Sequence, residues 1–417
     1  MEFTFTLDFK TKFFFSLTGF LLLYTLAFSQ QSRVDSTRAT WFAEHLISLD
    51  NMLTDDEGLR RVAYDSLTDK LSDAKVVAFG EPTHGDGTAF DVRNHFTKHL
   101  MQEAGVTMLA LEGLGLFDSP SSIIESNLAW MWSGSQQARS GLKEFLDKND
   151  KGSITVKGID VQHHSIDSLF SATEKKLKSE AIWNDRGPGV MDVLKTKFRQ
   201  PFSPANRDTM KMVFKTVDNY IKKLNKVEAT ETALFLENAK ANAMVAFQRS
   251  SEPRDLQIAE NLLYVANSTE TDQSIVAWGA NSHLVKSLAY IDNLEDDWSY
   301  DNAIPAGEKV NEHLGKDYYV IAFTACGGSF GAEHLDIENQ KIASPKPGSI
   351  EALACAADFS EAAFLDLRRL SKMSSGSWLY SPLLARPLGY EFKRASWPLV
   401  IDGMVIIRNM EPSMSVN

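Results

Sequence analysis

The stretch Lys75-Val76-Val77-Ala78-Phe79-Gly80-Glu81-Pro82-Thr83-His84-Gly85 decides how this chain is read. Val76–Phe79 is a short apolar run closed by a glycine, the pattern of a buried β-strand. The strand ends in a loop that carries a carboxylate and an imidazole three positions apart. Glycines at 80, 85 and 87 let that loop take backbone angles other residues avoid, and let other groups come close. In open α/β sheets, ligand sites lie just outside the carboxyl ends of the strands. Glu81 and His84 are therefore a candidate base and its orienting partner.

Working outward, four more apolar runs read as strands: Thr107–Leu111, Ile154–Ile159, Ser274–Trp278 and Tyr318–Thr324. Between the first two strands, Thr88 is placed to cap a helix whose apolar face includes Phe96 and Leu100, and Gly105 ends it. Strand–helix–strand units imply a parallel sheet covered by helices. The expected fold is α/β, a central and largely parallel sheet with helices on both faces. Residues 31–70 read as helical, with Trp41, Phe42, Leu46, Ile47 and Leu49 on one apolar stripe. From about Ser165 to Thr271 no strand is convincing, whereas Met210–Leu224 and Thr230–Phe247 carry helical patterns. A helical insertion over about 165–270 fits best, forming a lid or pocket wall; plain scaffolding is the alternative.

At 417 residues the chain can bury a large core. Its 43% hydrophobic and 24% charged residues are those of a globular protein. A net charge of −12 argues against a nucleic-acid partner, since phosphate binding needs a basic footprint. Residues 1–29 form a separate unit: Lys10 and Lys12, an apolar run over Phe13–Phe28, then Ala27 and Ser29 in a small-x-small ending. The pattern reads as a secretory signal peptide, its apolar run short for a membrane span, with an uncleaved anchor as the blander alternative; cleavage would leave a domain over 30–417 with no stable span. The expected location is secreted or periplasmic. The two cysteines, Cys326 and Cys355, either pair in an oxidising compartment or serve as two small buried hydrophobes.

Polar residues follow nearly every strand. Glu81 and His84 follow the first, Glu112 the second, Asp160 and Gln162 the third, Asn281 and His283 the fourth. Arg93 lies nine residues beyond His84. In a parallel sheet these strand ends share one edge, so their side chains converge on one cleft. The set Gly80-Glu81-x-x-His84-Gly85, Arg93, Ala110-Leu111-Glu112 and Asn281-x-His283 resembles the erythromycin esterase-like family. Gly158-x-Asp160 and Arg254-Asp255-x-x-Ile258-Ala259-x-Asn261 extend the resemblance, which runs from about Val76 to about Thr324. It implies hydrolysis of an ester without metal or other cofactor, with macrolide lactones as the known substrate class. It also implies a catalytic centre at Glu81, His84, Arg93, Glu112 and His283. Ala280 departs from the family, which often has His or Asn there.

The chemistry can also be built from the residues. Water attack on an ester needs a general base, a group to hold it and a stabiliser for the developing oxyanion. His84 titrates near neutrality and is the natural base. Glu81 or Glu112 would orient it, Arg93 would fix a carboxylate or polarise the carbonyl, and His283 would donate to the oxyanion or protonate the leaving alkoxide. Asp160, Gln162, Asn281 and Arg254 are candidate substrate-binding residues; Arg254 also reads as a partner that supports the acidic residues, with a surface pair with Asp255 as its blander alternative. The expected partner is a small-molecule ester.

Three rival readings remain. Glu81, His84, Glu112 and His283 have the atoms for a zinc or manganese site in a hydrolase or peptidase. Gly327-Gly328-Ser329-Phe330-Gly331 fits the G-x-S-x-G pattern, but the one histidine after it, His334, is too near for that arrangement; the stretch reads as a glycine-rich loop closing the same cleft. A binding protein that keeps the site without turnover is the third. His163-His164 read as a solvated loop, His95 and His99 as an exposed helix face, and Trp130 and Trp132 as core.

Overall fold

A computed structural model describes residues 35–416, apart from 55, 126–129, 201–205, 271–272 and 293–302. The expected signal peptide lies outside the described residues. The centre is an eight-stranded sheet: β1 (Ile47–Ser48), β2 (Val76–Glu81), β3 (Val106–Gly115), β4 (Thr155–Asp160), β5 (Ser274–Ala280), β6 (Tyr318–Ala325), β7 (Ala362–Asp366) and β8 (Gly403–Ile407). Their order is β1-β7-β8-β6-β2-β5-β3-β4. From β8 to β4 every pairing is parallel; β7 runs antiparallel to β8, and β1 to β7.

The sheet is buried on both faces, which is why its strands read as unbroken apolar runs. Val76, Ala78, Ile275, Ala277, Val320 and Ala322 enter one core, and Val77, Phe79, Val276, Trp278, Ile321 and Phe323 enter the other. This is the two-residue alternation of a pleated strand serving two layers. Helices α1 (Glu57–Leu71), α2 (Gly87–Glu103) and α3 (Gln136–Asp150) cover the second face.

Between β4 and β5 the described residues form five helices: α4 (Ile166–Ser179), α5 (Gly187–Arg199), α6 (Arg207–Lys226), α7 (Thr230–Gln248) and α8 (Glu252–Asn267). α4 to α7 build a third apolar cluster of their own around Phe170, Leu194, Val217 and Leu236. α8 leaves that cluster and packs Ile258, Ala259 and Leu262 against the sheet. Its Asn261 amide donates to the Ile159 carbonyl at 3.0 Å and to Asn238 of α7 at 2.7 Å. The buried Asn238–Asn261 pair thus ties insertion to sheet one residue before Asp160.

Several local expectations are corrected. Residues 35–45 are helical, but the stripe then breaks: Ile47 enters β1 and a turn precedes α1. Thr88 does not cap α2, which begins at Gly87 behind Asp86; the Thr88 hydroxyl instead accepts from the Glu411 amide at 2.9 Å. His99 is buried, not exposed, with Nε2 2.7 Å from the Thr68 hydroxyl. His163 is also buried, ringed by Phe117, Phe198 and Phe235, and that burial lowers its pKa to about 4. Trp132 is core. Ser329 opens a two-stranded hairpin, Ser329–Ala332 with Ile337–Lys341, rather than a strand-to-helix elbow. Cys326 and Cys355 are joined in a disulfide with Cα atoms 5.9 Å apart. Among the described residues no helix is long and apolar enough to cross a membrane.

Candidate active site

Strands β2, β5, β3 and β4 are neighbours, and their carboxyl ends bring the polar residues to one edge. Glu81 is the last residue of β2, paired in register with Ala280 of β5. Glu112 follows Leu111, which pairs with Trp278. Room for the Glu112 side chain depends on Gly279: a Cβ there would sit 2.8 Å from Glu112 Oε2. Asp160 ends β4.

The groups form two connected clusters. In the first, Glu81 is 1% exposed and takes a bond on each oxygen. His84 Nδ1 is 3.0 Å from Oε1, and Arg93 Nη1 donates to Oε2 at 3.0 Å. Burial pushes Glu81 above the ordinary carboxylate value, against the pull of His84 and Arg93. The Arg93 guanidinium is enclosed by the rings of Phe90, Trp132 and Trp278, 4.9, 4.3 and 4.1 Å from their centroids. Their π-faces offset part of the cost of burying that charge, although burial still lowers Arg93 to about 10. At 1% exposure Arg93 holds Glu81 and cannot reach a substrate carbonyl. His84 keeps 32% of its side chain exposed, so its ring reaches solvent at this sheet edge. Burial opposes its protonation, but the bond and charge of Glu81 and the charge of Glu112 outweigh this and raise its pKa.

The second cluster is built on Arg254, near the start of α8. Its Nε and Nη2 donate to the two oxygens of Asp160 at 3.0 and 2.6 Å, a bidentate fork. Nη2 also donates to Glu112 Oε1 at 2.8 Å. Glu112 Oε2 accepts from the Ala280 amide at 2.8 Å. Burial alone would raise Glu112; the charges of His283, Arg254 and His84 and the amide bond bring it to about 2. His283 Nδ1 lies 2.5 Å from Asp255 Oδ1. Burial again works against the imidazolium, but Glu112 and Asp255 overcome it and lift His283 to about 9. Its Nε2 is 3.1 Å from Arg254 Nη1 and 3.4 Å from Glu112 Oε1. A neutral ring accepts from the arginine, whereas a charged ring donates toward the glutamate.

All five residues expected at the centre come together. Of the expected binding residues, Arg254 is the hub of the second cluster, not a surface partner of Asp255. Asp160 is wholly buried and also accepts from the Gly113 and Val161 amides at 2.9 and 2.7 Å. Asn281 is 1% exposed, and its amide donates to the carbonyls of Pro387 and Phe323 at 2.6 and 3.3 Å. Gln162 lies exposed beyond β4, and among the described residues it is not part of either cluster. Asp255 was missed; its signal was its place beside Arg254, one residue round a helix that faces the sheet. Asp86 was missed too, a buried carboxylate two residues from His84. Among the described residues no group of three or more His, Cys, Asp or Glu side chains is placed to hold a metal. The oxygens of Glu81 and Glu112 are taken up by His84, Arg93, Arg254 and a backbone amide instead.

The sequence matches the Erythromycin esterase family over residues 118–409. The chain belongs to the erythromycin esterase family. The matched region includes Asp160, Arg254, Asp255, Asn281 and His283 and begins after Glu112. The Bacillus subtilis protein YbfO, named as a hydrolase, is 26% identical to this chain, covering 95% of it and 97% of YbfO. A protein from Bacillus cereus has the same fold, with TM-score 0.73 at 18% identity over 92% of this chain and 99% of that one. A histidine mutant of the erythromycin esterase EreC in its open conformation gives TM-score 0.65 at 14% identity, over 89% of this chain and 99% of EreC. Family and relative together support a hydrolase.

Proposed function

We propose that this esterase-family chain hydrolyses a carboxylic ester by His84-activated attack of water. The observation that carries this reading is the Glu81–His84 pair. Glu81 holds Nδ1 at 3.0 Å, which fixes the tautomer and leaves Nε2 as the basic nitrogen of a ring that reaches solvent. Nε2 takes a proton from water as its oxygen adds to the ester carbon. Glu81, itself anchored by Arg93, stabilises the imidazolium that forms. His283 enters the cycle charged, because Asp255 and Glu112 hold its proton. It stabilises the oxyanion and gives that proton to the leaving alkoxide as the C–O bond breaks. The neutral ring then accepts from Arg254 Nη1, so a partner is in place for each protonation state. Asp160 and Asn281 support the site from behind.

The known substrate of the family's namesake supports a macrolide lactone as the first ester to try. The lysine-flanked apolar run near the start of the sequence and the Cys326–Cys355 disulfide support an exported protein.

The test is mass spectrometry of a macrolide panel and simple esters incubated with the chain in the presence of chelator, beside His84→Ala. The expected result is a product one water heavier from the parent alone, with turnover in the variant lower by about three orders of magnitude or more. Near-normal turnover by His84→Ala would sink the scheme. Affinity for an ester with no product would make the chain a binder.

A further inference from the structure

The loop Arg386-Pro387-Leu388-Gly389-Tyr390 touches both halves of the site. At its start, Arg386 is fully buried and donates to the carbonyls of Ala343 and Ala325 at 2.5 and 2.9 Å, which pins it at the end of β6 beside the disulfide. One residue on, the Pro387 carbonyl receives the Asn281 amide, at the head of the short helix Asn281–Leu284 that carries His283. At the tip, the Gly389 amide donates to the Pro82 carbonyl at 3.2 Å. Tyr390 then donates its hydroxyl to Asp86 Oδ1 at 2.6 Å. Tyr390 sits at φ +61°, in the left-handed region where a bulky side chain is rare. Such strain persists only where surrounding contacts over-determine it.

Asp86 passes this contact on to His84. Its Oδ2 accepts from the Thr83 amide and hydroxyl at 2.6 and 2.9 Å, and the Thr83 hydroxyl accepts from the Gly85 amide at 3.1 Å. Both chain neighbours of His84 are thus tied to one carboxylate, which is 0% exposed and has only neutral donors. Burial without a cation raises Asp86 to about 7, a cost that a purely structural turn would avoid with an asparagine or serine. On its far side the His84 loop is held by backbone alone: the Gly85 carbonyl accepts from the Gly331 and Ser413 amides at 3.1 and 3.0 Å.

We propose that Tyr390 and Asp86 are positioning residues that hold the His84 loop in register with the His283 helix through the 386–390 loop. Neither touches substrate. Each acts by fixing where the His84 ring points relative to Glu81 and His283. The proposal rests on His84 being the base, so its test reads the ring directly as well as turnover.

The experiment is histidine-ring NMR of the full chain over a pH series, with His84 assigned by loss of its signal in His84→Gln, for parent, Tyr390→Phe and Asp86→Ala. Tyr390→Phe removes one hydroxyl and leaves the backbone contacts at Gly85. The expected result is a His84 midpoint lowered toward that of a free histidine, with the His283 midpoint in place and melting nearly unchanged. On any ester that is turned over, kcat falls by about tenfold or more while KM stays within a factor of about two. Asp86→Ala, which removes the acceptor shared by Thr83 and Tyr390, should shift His84 in the same direction. A folded Tyr390→Phe with parental His84 midpoint and kcat overturns the proposal. General unfolding of both variants also overturns it, since the pair would then be holding the core rather than one loop. If the parent hydrolyses no ester but the His84 midpoint still moves, the proposed function fails and the brace stands.

Discussion

His84 and His283 are both histidines in acidic surroundings, yet in the proposed mechanism their partners suit them to opposite tasks. His84 is opposed by burial, but the bond and charge of Glu81, itself paired with Arg93, and the charge of Glu112 raise its pKa above the ordinary value. His283 faces Asp255 and Glu112 together and is lifted to about 9. A base must start neutral and an acid must start charged, so kcat/KM should rise with pH through the His84 midpoint and fall again above about 9. Asp255→Asn removes a charge and a bond that raise His283, so the alkaline limb moves to lower pH. The same variant should lose about ten- to a hundredfold in rate at neutral pH. A pH–rate profile of parent and variant checks both, and an unmoved alkaline limb would remove His283 from the acid role. At Gly279, alanine would put a methyl group 2.8 Å from Glu112 Oε2. The carboxylate would have to leave the Ala280 amide and Arg254, so Gly279→Ala should fold but lose most activity, read by the same assay.

At the scale of elements, the strand that opens the fold was plain in the sequence because both its faces are buried. The carboxyl ends of β2 to β5 were equally plain once the runs were located. What the sequence hid was register and approach. Arg254 reads from sequence either as a partner of the acids or as a surface pair with Asp255, and the first holds; nothing local decides between them, because nothing local shows that α8 leaves the helical cluster to dock on β4. That docking includes the Asn238–Asn261 pair, two amides 23 residues apart whose partnership is purely tertiary. His163 and His99 were misread for the same reason: a polar residue in a polar-looking stretch is buried when a distant element covers it. β7 and β8 lay outside the matched motifs and join the sheet from the far edge. The role of α8 makes a prediction at this scale. Arg254→Lys keeps the charge but loses the fork, leaving Asp160 or Glu112 short of a donor. Activity should fall by about a hundredfold, while Arg254→Ala, which strands both carboxylates, should also cost about 3 kcal/mol of stability. Chemical denaturation separates the two variants, and equal stability of Ala and parent would show that Asp160 and Glu112 do not depend on the arginine.

For the molecule as a whole, the proposed catalytic edge is assembled from segments scattered between Glu81 and Tyr390, and much of their mutual placement is fixed far from it. The Cys326–Cys355 disulfide joins the end of β6 to the short helix Ile350–Cys355 across 29 residues. A loop of that length, closed in the unfolded chain, contributes roughly 3–4 kcal/mol in the chain-entropy account. Arg386 is anchored on the carbonyls of Ala325 and Cys326, so the bridge also steadies the root of the loop that reaches Asn281 and Tyr390. The double variant Cys326→Ser, Cys355→Ser should therefore melt several degrees below the parent, as should the parent in a thiol reductant. Its KM should change little, because the groups facing the cleft stay on β2, β3 and α8. Calorimetry of both forms with and without reductant checks the argument. A melting temperature indifferent to both treatments would mean that the sheet edge is held by its hydrogen bonds alone and that the bridge adds nothing to the folded state's advantage.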